Sequence, residues 1–529
     1  GHDVVLLDAS TYPERVDGRL VRNLETVLGD WKGDRPGHLF IDALDGDRAG
    51  MAEQLARTVE LLAGSRWRTV ASVRLYDITH NRRWRRVFAG APVVVEGDHR
   101  VKALEGVRHF RVTGLTGIEL ARVGTRVPGL ERVLTGADTD LLSNPFNLSL
   151  ACELLNMGAW PNDWNGHLDQ SALLTHYWNQ RVMNRGRFSR MKLLQELCRL
   201  MLTARRLQVS QGDLESEHVG ELSDLVSNGV LREIAPRYAN AMPSLAFGHH
   251  IFFDYAVSRL IFSDGDGSLL VRSLNEQPNL VFVARPAIDL HLTATWHADS
   301  ARKLFAEVCR GLARTEHDLA GVAAANIAVG LARNEEDVEW LVSALLAREE
   351  NAAERVVDWV IGVLRGREGR DAESRREVVR VWTSVATALA HQLGSTFHAK
   401  PVNLLYQLLQ RLHEIDPLGP EAEAARARAE CVAALMSAGL EDTVGRAQIV
   451  AMASRHLAAA IAVDGGHADL LRRIIQDEPT RRRNADVFRW SVRGAVDIAR
   501  GSPEAAAELL ETVWALKGSR DEKTVMMWG

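Results

Sequence analysis

Asp42 and Asp45 close the run Leu39-Phe40-Ile41-Asp42-Ala43-Leu44-Asp45, whose apolar half reads as a buried strand. A carboxylate at that place is what Mg²⁺–nucleotide chemistry needs, because phosphates and metal gather at the carboxyl edge of a parallel sheet. Asp45, three residues on, is placed to position or polarise a water. The same run also fits a plainer role, with Asp42 capping the next helix and Asp45 in an exposed loop. A second group is His249-His250 with Asp254, inside the aromatic-rich FGHHIFFDYAVSRLIF. No further ligand lies near it in sequence, so zinc is not indicated, and an isolated histidine is most often a satisfied core residue. Arg82-Arg83-Trp84-Arg85-Arg86 interleaves an aromatic with four arginines, as nucleic-acid contacts do, but it also reads as a solvated helix face. Arg481-Arg482-Arg483 reads as a surface helix start. There is no G-x-S-x-G elbow and no Cys/His spacing that supports a nucleophile.

The elements that must position these residues change character along the 529-residue chain. Residues 1–115 alternate short β-rich runs with helical stretches, the pattern of an α/β domain with a mostly parallel sheet. Strands are expected at Asp3–Ala9, His38–Asp42, Thr69–Arg74 and Val107–Val112, with helices over Gly18–Leu28 and Met51–Ala63. Residues 116–185 read as a helical subdomain, in which Trp160, Trp164 and Trp178 are packing residues. Residues 186–265 are further helices ending in the aromatic stretch, and 285–529 are helical throughout, with turn signals at Gly366–Gly369, Pro417–Pro420, Gly465-Gly466 and Gly501–Pro503. Segments such as Asp337–Leu346 and Glu354–Leu364 are amphipathic. Their succession suggests a solenoid-like array of paired helices without a fixed repeat period, and a compact helical domain is the alternative.

Five of these stretches, in order, resemble the motifs of the NACHT-like branch of STAND nucleoside triphosphatases, relatives of the AAA+ ATPases. HLFIDALDGDR is similar to the Walker B segment, and RTVASVRLYD, with Ser72 and Arg74, to the sensor strand. Leu115–Leu120 (LTGIEL) resembles the turn into the helical subdomain, and Ser143-Asn144-Pro145-Phe146-Asn147-Leu148 the proline motif that touches the base. Phe247–Tyr255 matches the F-x-H-x-x-F-x-acidic-aromatic motif that closes a winged-helix domain. The resemblance spans residues 1–262. It implies a P-loop-type parallel sheet followed by helical and winged-helix subdomains, with ATP/ADP and Mg²⁺ as cofactors. Asp42 would serve Mg²⁺ with Asp45 as its acidic partner, and Arg74 would sense the terminal phosphate. Pro145 would pack on adenine, and His249 (with His250 its rival by one residue) would reach the β-phosphate of ADP. Arg74 also has Asp77 and Asp42 within sequence reach as ion-pair partners.

The chain departs from that pattern twice. Gly46 follows Asp45 where many relatives carry Glu, and no phosphate-binding loop is present. Only seven of the 64 basic residues are Lys, and the one followed by Ser/Thr, Lys523-Thr524, is preceded by Glu522 and lies in a helical context. The chain opens Gly1-His2-Asp3 without Met and runs at once into a strand. This is read as a cut end with the loop-bearing strand missing upstream, which would leave strand edges open, make the chain poorly soluble and prevent it from retaining nucleotide.

Composition bounds the rest. With 46% apolar and 25% charged residues the chain is an ordinary globular protein of about three or four domains. It has no apolar run of the ~18–20 residues that cross a bilayer and no signal-peptide pattern. Four scattered cysteines without a CxxC pair fit a reducing cytoplasm. A net charge of -5 argues against nucleic acid as the main partner, and Gly220–Ala241 lacks the basic face of a DNA-reading winged helix. The leading expectation is an ADP/ATP signalling switch. In it the C-terminal helices sense a protein or ligand trigger, and nucleotide exchange permits homo-oligomerisation. Bacterial relatives commonly serve antiphage defence or transcriptional control. The alternative is a non-catalytic helical scaffold on a degenerate nucleotide fold.

Overall fold

A computed structural model describes residues 2–8, 15–16, 19–20, 24–42, 44, 52–73, 75–94, 99–101, 104–136, 139–160, 170–183, 187–214, 219–234, 242–264, 267–347, 350–364, 372–393, 399–415, 422–437, 472, 499 and 502–515. The chain divides into two compact units. The first comprises residues 1–261 with 282–287, and the second residues 262–281 with 288–529.

The first unit opens with a parallel sheet of three strands in the order β1 (Asp3–Asp8), β4 (Gly37–Asp42), β5 (Trp67–Ala71). A short antiparallel pair, β2 (Arg15–Val16) and β3 (Arg19–Leu20), lies between β1 and β4 in sequence. The connections carry α1 (Leu24–Asp30) and α2 (Ala52–Leu61). In α2 the apolar residues Leu55, Ala56 and Val59 recur at helical spacing and are buried with Leu24 and Leu28 of α1 against Leu39 and Ile41 of β4. Arg66 ties the start of the sheet together, donating to Asp3 at 2.6 Å and to the carbonyl of Arg35 at 2.6 Å.

Strand alternation sends the other side chains to the opposite face. Leu6, Phe40 and Val70 sit side by side in register and are 76%, 38% and 50% exposed. Parallel sheets are ordinarily covered on both faces; this one carries its core on one face and an apolar row in solvent on the other. The strand expected at Val107–Val112 does not form. Val107 makes a single antiparallel bridge to Ala89, and the backbone that follows bonds to loops, Arg108 N–H to Phe88 O at 2.7 Å and Arg111 N–H to His99 O at 2.8 Å. β-propensity there lacks a neighbouring strand to pair with, which is what a sheet requires. α3 (Leu75–His80) and α4 (Arg82–Val87) follow β5. Trp84 is buried in the sheet core and Arg83 pairs with Glu60 at 2.7 Å, so the arginine-rich stretch presents no aromatic for base stacking.

Helices α5 (Gly117–Gly124), α6 (Leu130–Gly136), α7 (Thr139–Ser143) and α8 (Pro145–Asn156) enclose a second core of Leu120, Leu130, Val133, Leu142, Leu148 and Ala151. Next come α9 (Gln170–Arg181) and α10 (Arg187–Ala204), the latter burying Leu193, Leu194, Leu197, Cys198 and Met201. The unit ends in an antiparallel sheet of β6 (Gln208–Ser210), β8 (Ser244–Phe247) and β7 (Leu231–Ile234), in that order. It is accompanied by α11 (Val219–Ser227) and α12 (His250–Leu260).

The remaining helices are α13 (Ser268–Glu276), α14 (Leu280–Val283), α15 (Arg285–His297), α16 (Lys303–Arg314), α17 (Asp318–Leu331), α18 (Glu339–Leu346), α19 (Glu350–Leu364), α20 (Ala372–Leu393), α21 (Ala399–Ile415), α22 (Ala422–Ser437) and α23 (Pro503–Ala515). In the second unit α17 packs on α19 and α19 on α21, while α18 packs on α20 and α20 on α22. Neighbours two apart in sequence make two layers, an arrangement compatible with a solenoid-like stack. A partly buried ion pair pins its start. Arg302, in a left-handed conformation (φ 55°), donates to Asp337 Oδ1 at 2.7 Å and to the carbonyl of Trp296 at 2.8 Å. Asp337 Oδ2 accepts the N–H of Arg333 at 2.8 Å. Burial alone would raise the Asp337 carboxyl, but the Arg333 N–H and the Arg302 guanidinium outweigh it and hold the carboxyl below the ordinary range.

Three variants test this packing. Replacing Leu6 and Val70 by Lys should reduce dye binding to exposed apolar surface and raise solubility, with stability within about 0.5 kcal/mol of wild type. Leu39→Ala, in the covered face, should cost about 3 kcal/mol in denaturant unfolding. A carboxyl depressed in the folded state stabilises above its unfolded value of about 3.9 and loses that contribution as pH falls through the folded value. Asp337→Asn should therefore flatten the acid limb of the stability profile below about pH 4, and it should cost about 3 kcal/mol at neutral pH by leaving Arg302 unpaired.

Candidate functional site

The carboxyl edge of the parallel sheet carries the first group of candidate residues. Asp42 is the last residue of β4 and is exposed. Ser72, one residue beyond β5, is locked to the same edge: its N–H donates to the carbonyl of Ile41 at 2.9 Å, and its carbonyl accepts the N–H of Leu44 at 3.0 Å. Its hydroxyl donates to Asp42 Oδ1. The segments after two adjacent strands thus orient one carboxylate. An exposed carboxylate of this kind suits Mg²⁺, which takes one or two protein carboxylates and fills its other positions with phosphate oxygens and water. No group of three or more His, Cys, Asp or Glu among the described residues could hold a metal by itself. Asp45, Gly46 and Arg74 lie outside the described residues, as does the Asp77 side chain.

The second group forms where three helices begin. Thr116 caps α5 through a reciprocal capping box, its hydroxyl accepting the Glu119 N–H while its own N–H donates to Glu119 at 2.8 Å. That backbone bond, with the Thr116 hydroxyl second, lowers the Glu119 carboxyl. The turn before Thr116 is clasped to the end of α7, two residues before α8, with Leu115 N–H donating to the carbonyl of Ser143 at 2.7 Å. Gly114 permits this approach, since a Cβ there would lie 2.5 Å from Ser143 Oγ. Asn144 caps α8 by accepting the Phe146 N–H at 2.9 Å, and Pro145 occupies the first helical position, where its missing N–H costs nothing. Pro145 is exposed, Phe146 is half-buried and Asn147 is buried, donating to the carbonyl of Leu141 at 3.1 Å.

His249 caps the third helix, α12, its Nδ1 accepting the Ile251 N–H at 3.2 Å. In the neutral ring this places the proton on Nε2. The imidazole lies on the Phe146 ring with centroids 4.0 Å apart and planes at 27°. Residues about a hundred positions apart in sequence are thereby brought face to face. His250, the neighbouring candidate, is the exposed first residue of the helix, with its ring 4.2 Å from that of His249. The rest of the motif is core. Phe252 stands edge-on to Phe146 at 5.6 Å and stacks on Tyr177 at 5.0 Å, and Tyr255 meets Trp178 at 5.5 Å. Burial, followed by donation to Glu153 at 2.7 Å, raises the pKa of Tyr177. Trp178 packs as expected and Trp160 is half-buried against the α5–α8 core, while Trp164 lies outside the described residues, as do Arg481–Arg483.

The sequence therefore marks Pro145 and His249 but not the ring that joins them. The available signal was an aromatic directly after the proline that opens α8. It also does not show why Gly248 precedes the histidine: a Cβ at Gly248 would lie 2.3 Å from the carbonyl oxygen of Gly229, and the Gly248 N–H donates to the carbonyl of Val230 at 2.9 Å.

Neither a family model nor a curated protein sequence matches this chain.

Gly248→Ala should lower unfolding stability by roughly 1–3 kcal/mol, because backbone and not a flexible side chain must yield. Gly220→Ala, in open space on α11, should leave stability unchanged or slightly higher. Thermal unfolding of the two variants checks the contrast.

Proposed function

We propose that this chain carries most of an ATP/ADP-dependent signalling switch of the STAND type, built on a P-loop-like sheet with helical and winged-helix subdomains. The observation that supports the reading is the stacking of Phe146, the neighbour of Pro145, on His249, because a base-contacting turn and a phosphate-contacting histidine would have to share one nucleotide. Asp42, oriented by Ser72, would hold the Mg²⁺ that neutralises phosphate charge. Pro145 would lie against adenine, and His249 would donate from Nε2 to the β-phosphate of ADP. Arg74 would address the terminal phosphate of ATP, with Asp45 beside the metal. A bound nucleotide touching residues of both α8 and the cap of α12 holds these helices together. Exchange of ADP for ATP alters which contacts are made and so shifts the populations of closed and open states.

In this reading the stacked helices of the second unit are the surface for a protein or ligand trigger, opening permits homo-oligomerisation, and ATP hydrolysis is slow. Antiphage defence or regulation are the settings such a switch fits. In this reading a phosphate-gripping loop would have to be supplied by residues other than these, because no lysine here stands in a G-x-x-x-x-G-K-[ST] setting. A second reading, a non-catalytic helical scaffold on a degenerate nucleotide fold, draws on the same lysine census and on Gly46.

The natural gene product that carries these residues should release about one adenine nucleotide per chain on denaturation. Asp42→Ala should weaken Mg²⁺-dependent ATP binding, and His249→Ala ADP binding, each about tenfold or more, the loss of one charge-assisted hydrogen bond or metal contact. The 529-residue chain alone should show no micromolar nucleotide binding by calorimetry. A gene product devoid of nucleotide and unable to bind it would leave the scaffold reading.

A further inference from the structure

We propose that His109 is an acid-released latch: its neutral ring clasps the strap that leads from the parallel sheet to helices α5–α8, and protonation of the ring undoes the clasp. The inference stands on this geometry and is independent of the nucleotide reading.

The strap, residues 99–101 and 104–112, takes the place of the strand expected at Val107–Val112, and two histidine rings supply pairing that a neighbouring strand would have given. Arg111 N–H donates to the carbonyl of His99 at 2.8 Å, and His99 Nδ1–H returns a bond to the carbonyl of Arg111 at 2.9 Å. Val101 N–H donates to His109 Nε2 at 2.9 Å, while His109 Nδ1–H donates to the carbonyl of Val107 at 2.8 Å. A carbonyl can only accept and a backbone N–H can only donate. Both partners of His109 therefore fix its state, with the proton on Nδ1 and the lone pair on Nε2. A second proton on Nε2 would set donor against donor at Val101.

His99 provides the contrast. It donates from Nδ1 in either charge state, so protonation leaves its bond to Arg111 intact, and its ring lies flat on Phe110 with centroids 4.6 Å apart. Of the two rings, His109 alone converts a change of charge into a lost bond. Its bond belongs to the neutral ring, so it is present at neutral pH and lost as pH falls through the range in which histidines take up a proton. The described charged groups on the segments around the ring are His99, Arg100, Glu105, Arg108 and Arg111 on the strap, with Arg85 and Arg86 at the end of α4. Glu105, the one carboxylate among them, lies 3.8 Å from Arg100. Glu96, Asp98 and Lys102 lie outside the described residues.

The latch holds more than one amide. Leu104 and Val107 are buried in the sheet core and Val101 packs against it. Beyond Val112 the chain runs to Leu115, which is bonded to Ser143. Release of Val101 from His109 lets the strap lengthen between these two anchors, a local change of charge with a consequence for helices α5–α8.

The test is hydrogen exchange at the Val101 amide in the natural gene product, at about pH 7.5 and about pH 5.5, each corrected for intrinsic exchange. Wild-type protection should fall roughly three- to tenfold at the lower pH, as the loss of one hydrogen bond implies. His99→Gln should keep that dependence. His109→Gln, whose amide oxygen can accept at any pH, and His109→Phe, which has no acceptor, should both abolish it. Protection in the wild type that does not change with pH overturns the proposal. So does a fall that persists in His109→Gln and His109→Phe, or one that His99→Gln removes.

Discussion

The stack of His249 on Phe146 is the contact on which the functional account turns. A centroid distance of 4.0 Å between two rings, each at the start of its own helix, is achieved only if both helix termini are placed to within a fraction of a residue. Three local devices achieve that placement. Asn144 and His249 cap their helices with their own side chains, and the Leu115–Ser143 bond ties down the end of α7 just before α8. Gly248 lets the β8–α12 corner pass against the Gly229 carbonyl. None of these is individually strong, since a cap contributes about 1 kcal/mol. Together they convert several weak local preferences into one defined geometry, supported from below by Phe252, Tyr177 and Trp178.

The sheet end of the same unit is organised differently. Asp42 depends on strand register, because a slip of one residue would turn it from the edge and send Leu39 and Ile41 into solvent. The register is held by the core on the covered face, while Leu6, Phe40 and Val70 form a partly exposed row on the open one. That asymmetry makes the sheet a stable platform on one side and an apolar surface on the other. In the second unit, stability follows from layered packing of successive helices and from the Arg302–Asp337 pair that closes the first turn of the stack.

Much of this was legible in the sequence, and what was not has physical reasons. The runs at Asp3–Asp8, Gly37–Asp42 and Trp67–Ala71 carry strand propensity and also have partners, so local preference and pairing agree. Val107–Val112 carries the same propensity without a partner, and pairing decides. The amphipathic periodicity of α2, α18 and α19 gave those helices to within a few residues, since burial follows the 3.6-residue repeat. Motif order pointed to Pro145 and His249 as belonging to one site. It could not show that Phe146 is the surface on which His249 rests, because a contact across about a hundred residues leaves no trace in local spacing. Nor could it show that Gly248 is required by a neighbouring carbonyl.

The claim that one nucleotide joins these elements is tested most directly by photolabelling the natural gene product with an 8-azido adenine nucleotide and mapping the modified peptide. The account predicts a label at the start of α8, around Pro145 and Phe146, that excess ADP abolishes. Labelling that ADP does not compete with, or that falls elsewhere in a folded protein, would contradict it.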